Sequence, residues 1–426
     1  MPTDGCPAFA PAAMVSIGVR VVSCPARRKG EVVLMRSIRV LVVAAAFAVA
    51  IGGVASAETI KVGVIGPMSG PFSLYGRNFK LGIDAYVAMH GKKAGSHDVE
   101  FIYRDLDGPD PAKAKSLAQE LIVKDKVQYL AGVYFTPNAM AVAPLLVQGK
   151  TPFILMNAAT SAITEKSPYI VRTSFTMWQN TVPAARVARQ KGYKKVAIAV
   201  SDYGPGIDAE TAFRQTFEAD GGTVIESIRM PVRTTDFGPV MQRIRNGGAD
   251  AVFAFLPAGP PTLAFVKAFI DNGLKAAGIQ LLTTGDVTPE PDLPQFGDDG
   301  IGIISTYHYS RSHASPENEA FLAKIREVGG RVEDVTMAAV GAFDGAHVIY
   351  KMIEATGGER DPEKAVAAVK GLSWISPRGP VSIDPETRHI TQNVYVRSVE
   401  KQGSTYINKE ILTFANQPDY GLIKAK

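Results

Sequence analysis

Two short stretches combine hydroxyl side chains with free backbone amides where an anion could be held. Tyr134-Phe135-Thr136-Pro137-Asn138 follows the apolar run 127–133, and Asn157-Ala158-Ala159-Thr160-Ser161 follows the apolar run 152–156. In the first, Thr136 is expected to cap a helix whose opening position Pro137 fills. The unpaired N–H groups of that turn and the threonine hydroxyl would then converge on a small carboxylate. The second stretch, small and hydroxylic, offers a further set of donors. Either threonine alone is better explained by ordinary helix capping; two such loops on adjacent strands tilt the balance toward a ligand site.

The rest of the chain offers little catalytic chemistry. It lacks G-x-S-x-G, H-E-x-x-H, a phosphate-binding P-loop and a G-x-G-x-x-G after a strand. His90, His97, His308, His313, His347 and His389 are scattered without metal-ligand spacing and are expected to be mostly solvated, while Glu165 and Asp334 stand alone. Asp105 and Asp107 follow a strand and imitate a catalytic or ribose-binding pair, but Asp107-Gly108-Pro109-Asp110-Pro111 is better explained as a turn running into a helix. The expectation is a binding protein without enzymatic activity, cofactor or metal.

The amino end points to export. The apolar run 40–54 follows Met35 and the basic stretch Arg36-Ser37-Ile38-Arg39, and it ends at Ala55-Ser56-Ala57, the layout of a secretory signal over 35–57 cleaved after Ala57. Its length and its late Ala and Gly residues argue against a membrane span. Residues 1–34, Pro- and Arg-rich and holding both cysteines (Cys6 and Cys24), are expected to be a misassigned upstream extension. The chain beyond Ala57 therefore has no cysteine, which excludes disulfides and thiol catalysis there despite an oxidising destination. Charge is as uneven. Six basic and two acidic side chains before residue 58 account for most of the formal +5, so the remainder is nearly neutral and carries no nucleic-acid signature.

Positioning the two hydroxyl loops requires parallel sheets. From Ile60 the pattern reads as strand 60–65, a helix presenting Phe79, Ile83 and Val87, strand 99–103, a helix capped by Asp110 with Pro111 first, strand 127–133, helix 138–148 and strand 152–156. The order returns from Lys194: strand 196–200, a helix ending at Gly221-Gly222, strand 224–230, a helix opened by Asp236 with Phe237, Val240, Met241 and Ile244, strand 251–256, helix 262–271 and strand 279–283. Two such βαβ stacks predict an α/β chain of two doubly wound, Rossmann-like lobes, with ligand at the carboxyl ends of the strands.

Ile60-Lys61-Val62-Gly63-Val64-Ile65-Gly66-Pro67-Met68-Ser69-Gly70-Pro71, Tyr75-Gly76, Ala158-Ala159-Thr160, Tyr203-Gly204-Pro205-Gly206 and Thr235-Asp236-Phe237 occur in an order that resembles the leucine/isoleucine/valine-binding proteins of ABC importers. The resemblance covers 58–426. It implies a type I periplasmic binding fold with three crossings near 174–180, 305–310 and 378–384, giving one lobe from 58–175 and 309–380 and the other from 176–308 and 381–426. It also implies that Thr136 and Thr160 hold a ligand carboxylate, that the Ala158 carbonyl takes an ammonium, and that Asp286, where relatives usually carry glutamate, completes the ammonium site. The loop after Phe255 reads Pro257-Ala258-Gly259-Pro260 in place of an expected aromatic, and Tyr134, Phe135 or Trp178 are the candidates to replace that ring. Tyr75 and Tyr203 would wall an aliphatic chain or a benzene ring, and Asn157 joins the donor loop; for Trp178, packing in the hinge is an equal reading. The implied role is a periplasmic monomer that captures an amino acid or aromatic acid by lobe closure and delivers it to a permease and its ATPase, with a ligand sensor docking on a receptor or regulator as the alternative.

Overall fold

The computed structural model describes residues 58–422; the extension and export signal expected over 1–57 lie outside the described residues. Two sheets organise the chain. The first runs β2-β3-β1-β4-β5-β6, made of β1 (Ile60–Gly66), β2 (Lys93–Ala94), β3 (His97–Asp105), β4 (Tyr129–Gly132), β5 (Phe153–Leu155) and β6 (Ile170–Arg172). All of its pairings are parallel except the short edge strand β2. Helices α1 (Ser73–His90), α2 (Pro111–Val123) and α3 (Thr136–Gln148) supply the crossovers.

The chain passes through α4 (Met177–Gln190) into β7 (Lys195–Ser201) and then α5 (Gly204–Ala219). The second sheet runs β12-β13-β14-β11-β10-β9-β7-β8, with β15 paired to β14. Its strands are β8 (Thr223–Met230), β9 (Ala251–Phe255), β10 (Gln280–Thr284), β11 (Ile304–Tyr307), β12 (Ser373–Ser376), β13 (Gly379–Ile383), β14 (Ile390–Gln402) and β15 (Thr405–Gln417). The part from β8 to β11 is parallel and the rest antiparallel. In each sheet the strand order reverses beside the first strand of its unit: β1 lies between β3 and β4, and β7 between β8 and β9. A crevice opens at the carboxyl ends of strands at such a point.

Local rules are obeyed where they are strongest. Asp110 caps α2 by accepting from the Lys113 amide at 2.9 Å, with Pro111 at its start. The helix Met337–Thr356 returns to the first unit and packs along α1 so closely that a Cβ on Gly82 would lie 2.0 Å from the Ala339 carbonyl oxygen. Asn78 of α1 fixes this return, donating to the Asp334 carbonyl at 2.9 Å and accepting from the Thr336 amide at 2.8 Å.

Three details differ from expectation. The helix after Asp236 begins at Gly238, and Asp236 holds that amide at 3.0 Å from just outside. Residues 373–376, expected in the first lobe, pair with β13 and so extend the larger sheet. His308 and His389 are buried, at 0% and 1% exposure, not solvated. No helix among the described residues is long and apolar enough to cross a membrane.

Candidate functional site

The two hydroxyl loops meet. Thr136 Oγ1 and Thr160 Oγ1 lie 3.1 Å apart and are nearly buried. Thr136 is not the cap of α3: Phe135 holds that position, Thr136 is the first helical residue and Pro137 the second. Thr160 precedes a 3-10 turn, Ser161–Lys166, without capping it through its side chain. Freed from capping, both hydroxyls face one point beside the amino end of α3. A second helix arrives there from the other unit. A Cβ placed on Gly204, which opens α5, would stand 2.5 Å from Thr160 Oγ1 and 3.2 Å from Thr136 Cγ2. Two helix amino termini and two hydroxyls thus surround one spot, which favours an anion on both dipole and hydrogen-bonding grounds.

The turn that brings Thr136 there is strained. Gly132 (φ 97°) and Val133 (φ 62°) adopt left-handed backbone, a conformation that a β-branched residue resists. The Val133 amide donating to the Ile65 carbonyl at 2.7 Å, and the Ala158 amide donating to the Val133 carbonyl at 3.2 Å, hold it.

The cavity beside the hydroxyl pair is walled by Thr136, Tyr134, Asn157, Ala159 and Phe175 on one side and by Tyr203, Pro205, Phe255, Pro257 and Asp286 on the other. Its volume is only about 10 Å³, room for about one water molecule. Direct contacts hold the two sides together. The Tyr134 hydroxyl donates to the Ala258 carbonyl at 2.8 Å, and the Phe72 ring lies against Gly259. Near Thr160, the Ser161 amide donates to Asp208 Oδ2 at 3.0 Å. A separate, wider space of about 310 Å³ lies between Pro71, Phe72 and Pro109 on one side and Val232, Arg233 and Pro260 on the other.

Asp286 is buried, and each of its oxygens takes a hydroxyl: Oδ2 from Thr284 and Oδ1 from Tyr307, both at 3.0 Å. Burial pushes its carboxyl up to about 6, against the opposing pull of those two hydrogen bonds and of the Arg397 charge. The Tyr75, Tyr134 and Tyr203 phenols are pushed well above their usual range, chiefly by burial, and stay neutral.

Of the residues singled out from sequence, Tyr134, Thr136, Asn157, Tyr203 and Asp286 stand on the cavity wall, with Thr160 touching Thr136. Tyr75 and Phe135 are set behind the wall, their rings 4.9 Å from that of Tyr134. Ala158 is fully buried, and Ala159 takes the wall position. Trp178 lies off the cavity, beside Gly421, where a Cβ would come within 2.6 Å of its indole. The rings that sequence reasoning missed are Phe175, from the first crossing, and Phe255, which stacks on Tyr203 at 6.1 Å and 17°. Position at the carboxyl end of a strand was the available signal for Phe255. Phe175 had none, because its place depends on how the crossings pack.

A family model described as periplasmic binding protein matches residues 59–404. The chain belongs to the periplasmic binding protein family. Its relatives in this family include the Leu/Ile/Val-binding protein homolog 6 of Brucella melitensis, 61% identical over 369 residues, 86% of this chain and 95% of that one. A solute-binding protein of an ABC transporter from R. palustris, solved in complex with 4-hydroxybenzoate, is 72% identical with a TM-score of 0.85, covering 86% of this chain and all of that one. A second, from Rhodopseudomonas palustris HaA2 in complex with p-hydroxybenzoic acid, is 70% identical with a TM-score of 0.85, over 85% and 99% of the two chains. The family and the type I periplasmic binding fold are thus those that the sequence resemblance implied. Membership makes the chain a solute-binding protein and implies a periplasmic location.

Proposed function

We propose that this periplasmic binding protein captures an aromatic carboxylate of the hydroxybenzoate class. The observation that carries the reading is the pairing of an anion spot, Thr136 and Thr160 between the amino ends of α3 and α5, with a wall of aromatic rings from Tyr134, Phe175, Tyr203 and Phe255. A flat ring flanked by rings, with its carboxylate on paired hydroxyls and amides, satisfies both halves of such a site. Two similar proteins, at 72% and 70% identity, are solved with 4-hydroxybenzoate, which supports the choice of ligand class.

The chain acts by closure. The first lobe, 58–175 with 309–372, receives the carboxylate; the second, 176–308 with the strands from 373 onward, brings Tyr203, Gly204 and Asp286 over it. Because the closed cavity is so small, the lobes must part for entry, and the walls must yield around the ring. The closed, loaded monomer is then delivered to a permease and its ATPase. The protein binds without turnover, and the segment 35–57 serves as its export signal, cleaved after Ala57.

An amino acid is the second reading, favoured by the buried carboxylate of Asp286, which suits an ammonium. Titration calorimetry on the chain from residue 58 separates the two. 4-Hydroxybenzoate is expected to bind at about micromolar strength, near −8 kcal/mol, and leucine not at all. Thr136→Ala and Thr160→Ala should each weaken the aromatic acid by about 1–3 kcal/mol. Leucine binding with no response to aromatic acids overturns the ligand class; unchanged affinity in both threonine variants overturns the site.

A further inference from the structure

One acceptor on the cavity wall has no donor. Asn157, only 7% exposed, gives its Nδ2 to the Tyr134 carbonyl oxygen at 2.9 Å. That bond fixes the amide's orientation, since the flipped form would set oxygen against oxygen. Its Oδ1 is then buried with no hydrogen-bond partner. Buried acceptors are rarely left so, and one on a ligand cavity marks where a ligand donor belongs.

The other polar groups of the wall do not compete for that role equally. Thr136, Thr160 and the amino ends of α3 and α5 are donors and suit the carboxylate. Asp286 already receives a hydroxyl on each oxygen. Asn157 lies on the Phe175 side of the wall, where the Ser174 hydroxyl holds its backbone carbonyl at 3.3 Å. We infer that Asn157 Oδ1 accepts the phenolic O–H of the ligand, and that Asn157 thereby selects hydroxylated benzoates over plain benzoate. The inference rests on the aromatic-carboxylate reading above and adds the residue that discriminates within that class.

The test is a ligand-by-variant cycle. Affinities of benzoate, 4-hydroxybenzoate and 4-methoxybenzoate are measured by calorimetry on the unaltered protein and on Asn157→Ala, and the readout is the ratio between ligands, which cancels any general weakening. The unaltered protein should prefer 4-hydroxybenzoate to both analogues by about tenfold or more, and the preference should shrink to about threefold or less in Asn157→Ala. A preference that survives in Asn157→Ala but vanishes in Asp286→Asn assigns the hydroxyl to Asp286 and overturns the inference. Benzoate and 4-hydroxybenzoate binding equally well to the unaltered protein sinks the inference alone, whereas no binding of any benzoate sinks the function beneath it as well. Should Asn157→Ala fail to fold, a crystal structure of the unaltered protein with 4-hydroxybenzoate decides. Asn157 Oδ1 within about 3.2 Å of the phenolic oxygen supports the assignment, and that oxygen on another group overturns it.

Discussion

Asp286 is where a single proton distinguishes two kinds of ligand. Its carboxyl is raised to about 6 mainly because burial penalises the charge. An aromatic carboxylate brought into the same cavity adds a like charge, so binding favours the protonated form. Affinity for 4-hydroxybenzoate should therefore strengthen as pH falls through about 6 and weaken above it. An ammonium ligand would need the ionised form and show the opposite slope. Calorimetry between about pH 5 and about pH 7.5 measures that sign, and Asp286→Asn should flatten the dependence for the aromatic acid. A slope that rises with pH would return the site to amino acids. The same shift acts on folding: with its folded value above the ordinary carboxyl range, Asp286 favours the folded state at low pH, and that contribution is lost as pH rises through about 6.

The helices decide what these side chains can reach, and here Gly204 is the exposed joint. Its backbone has no left-handed requirement, so alanine fits α5 by itself and should leave the unliganded protein as stable or slightly more so. In the closed form, however, the added methyl would press on Thr160 Oγ1 and Thr136 Cγ2 across the cleft. Gly204→Ala is expected to weaken ligand about tenfold or more while the unliganded denaturation midpoint holds, read by calorimetry and urea unfolding. An equal loss in both measurements would mean that the methyl damages the lobe and not its closure. How far the sequence disclosed this site follows from the range of the forces involved. Asp110-Pro111 was legible because a cap is a contact three residues long, and the hydroxyl loops were legible because strand ends locate ligands in doubly wound sheets. Val133 was not. Local preference argues against its left-handed turn, and it is enforced by hydrogen bonds to distant backbone, its amide to Ile65 and its carbonyl to the Ala158 amide. The same reason misplaced Thr136 as a cap and put Trp178 among the ligand candidates, for which side faces the cleft is settled by packing between units.

Across the whole molecule the three crossings are fastened to one another as well as to the lobes. Phe175 of the first stacks on His308 of the second at 4.6 Å. Arg378, fully buried beside the third, donates to the carbonyls of Ser174 and Thr173 and pairs with Asp344 at 2.6 Å on the helix Met337–Thr356. Asp344 also accepts from the Trp374 indole and the Ser376 hydroxyl, both at 2.8 Å. One guanidinium thus ties the loop after β6, which carries Phe175, to the long helix Met337–Thr356. Removing it would leave Asp344 buried with its charge uncompensated and the Thr173 carbonyl without its donor, while the Ser174 carbonyl keeps the Gln392 amide at 3.0 Å. Such a loss costs about 3 kcal/mol or more even with two hydrogen bonds to Asp344 retained. Arg378→Met is therefore expected to lower the unfolding free energy of the unliganded protein, read by urea denaturation, by that amount, and adding Asp344→Asn, which removes the stranded charge, should restore a measurable part of it. If the double variant is no more stable than Arg378→Met, the guanidinium acts through the Ser174 and Thr173 carbonyls, and the crossings are held by hydrogen bonding to backbone more than by the ion pair.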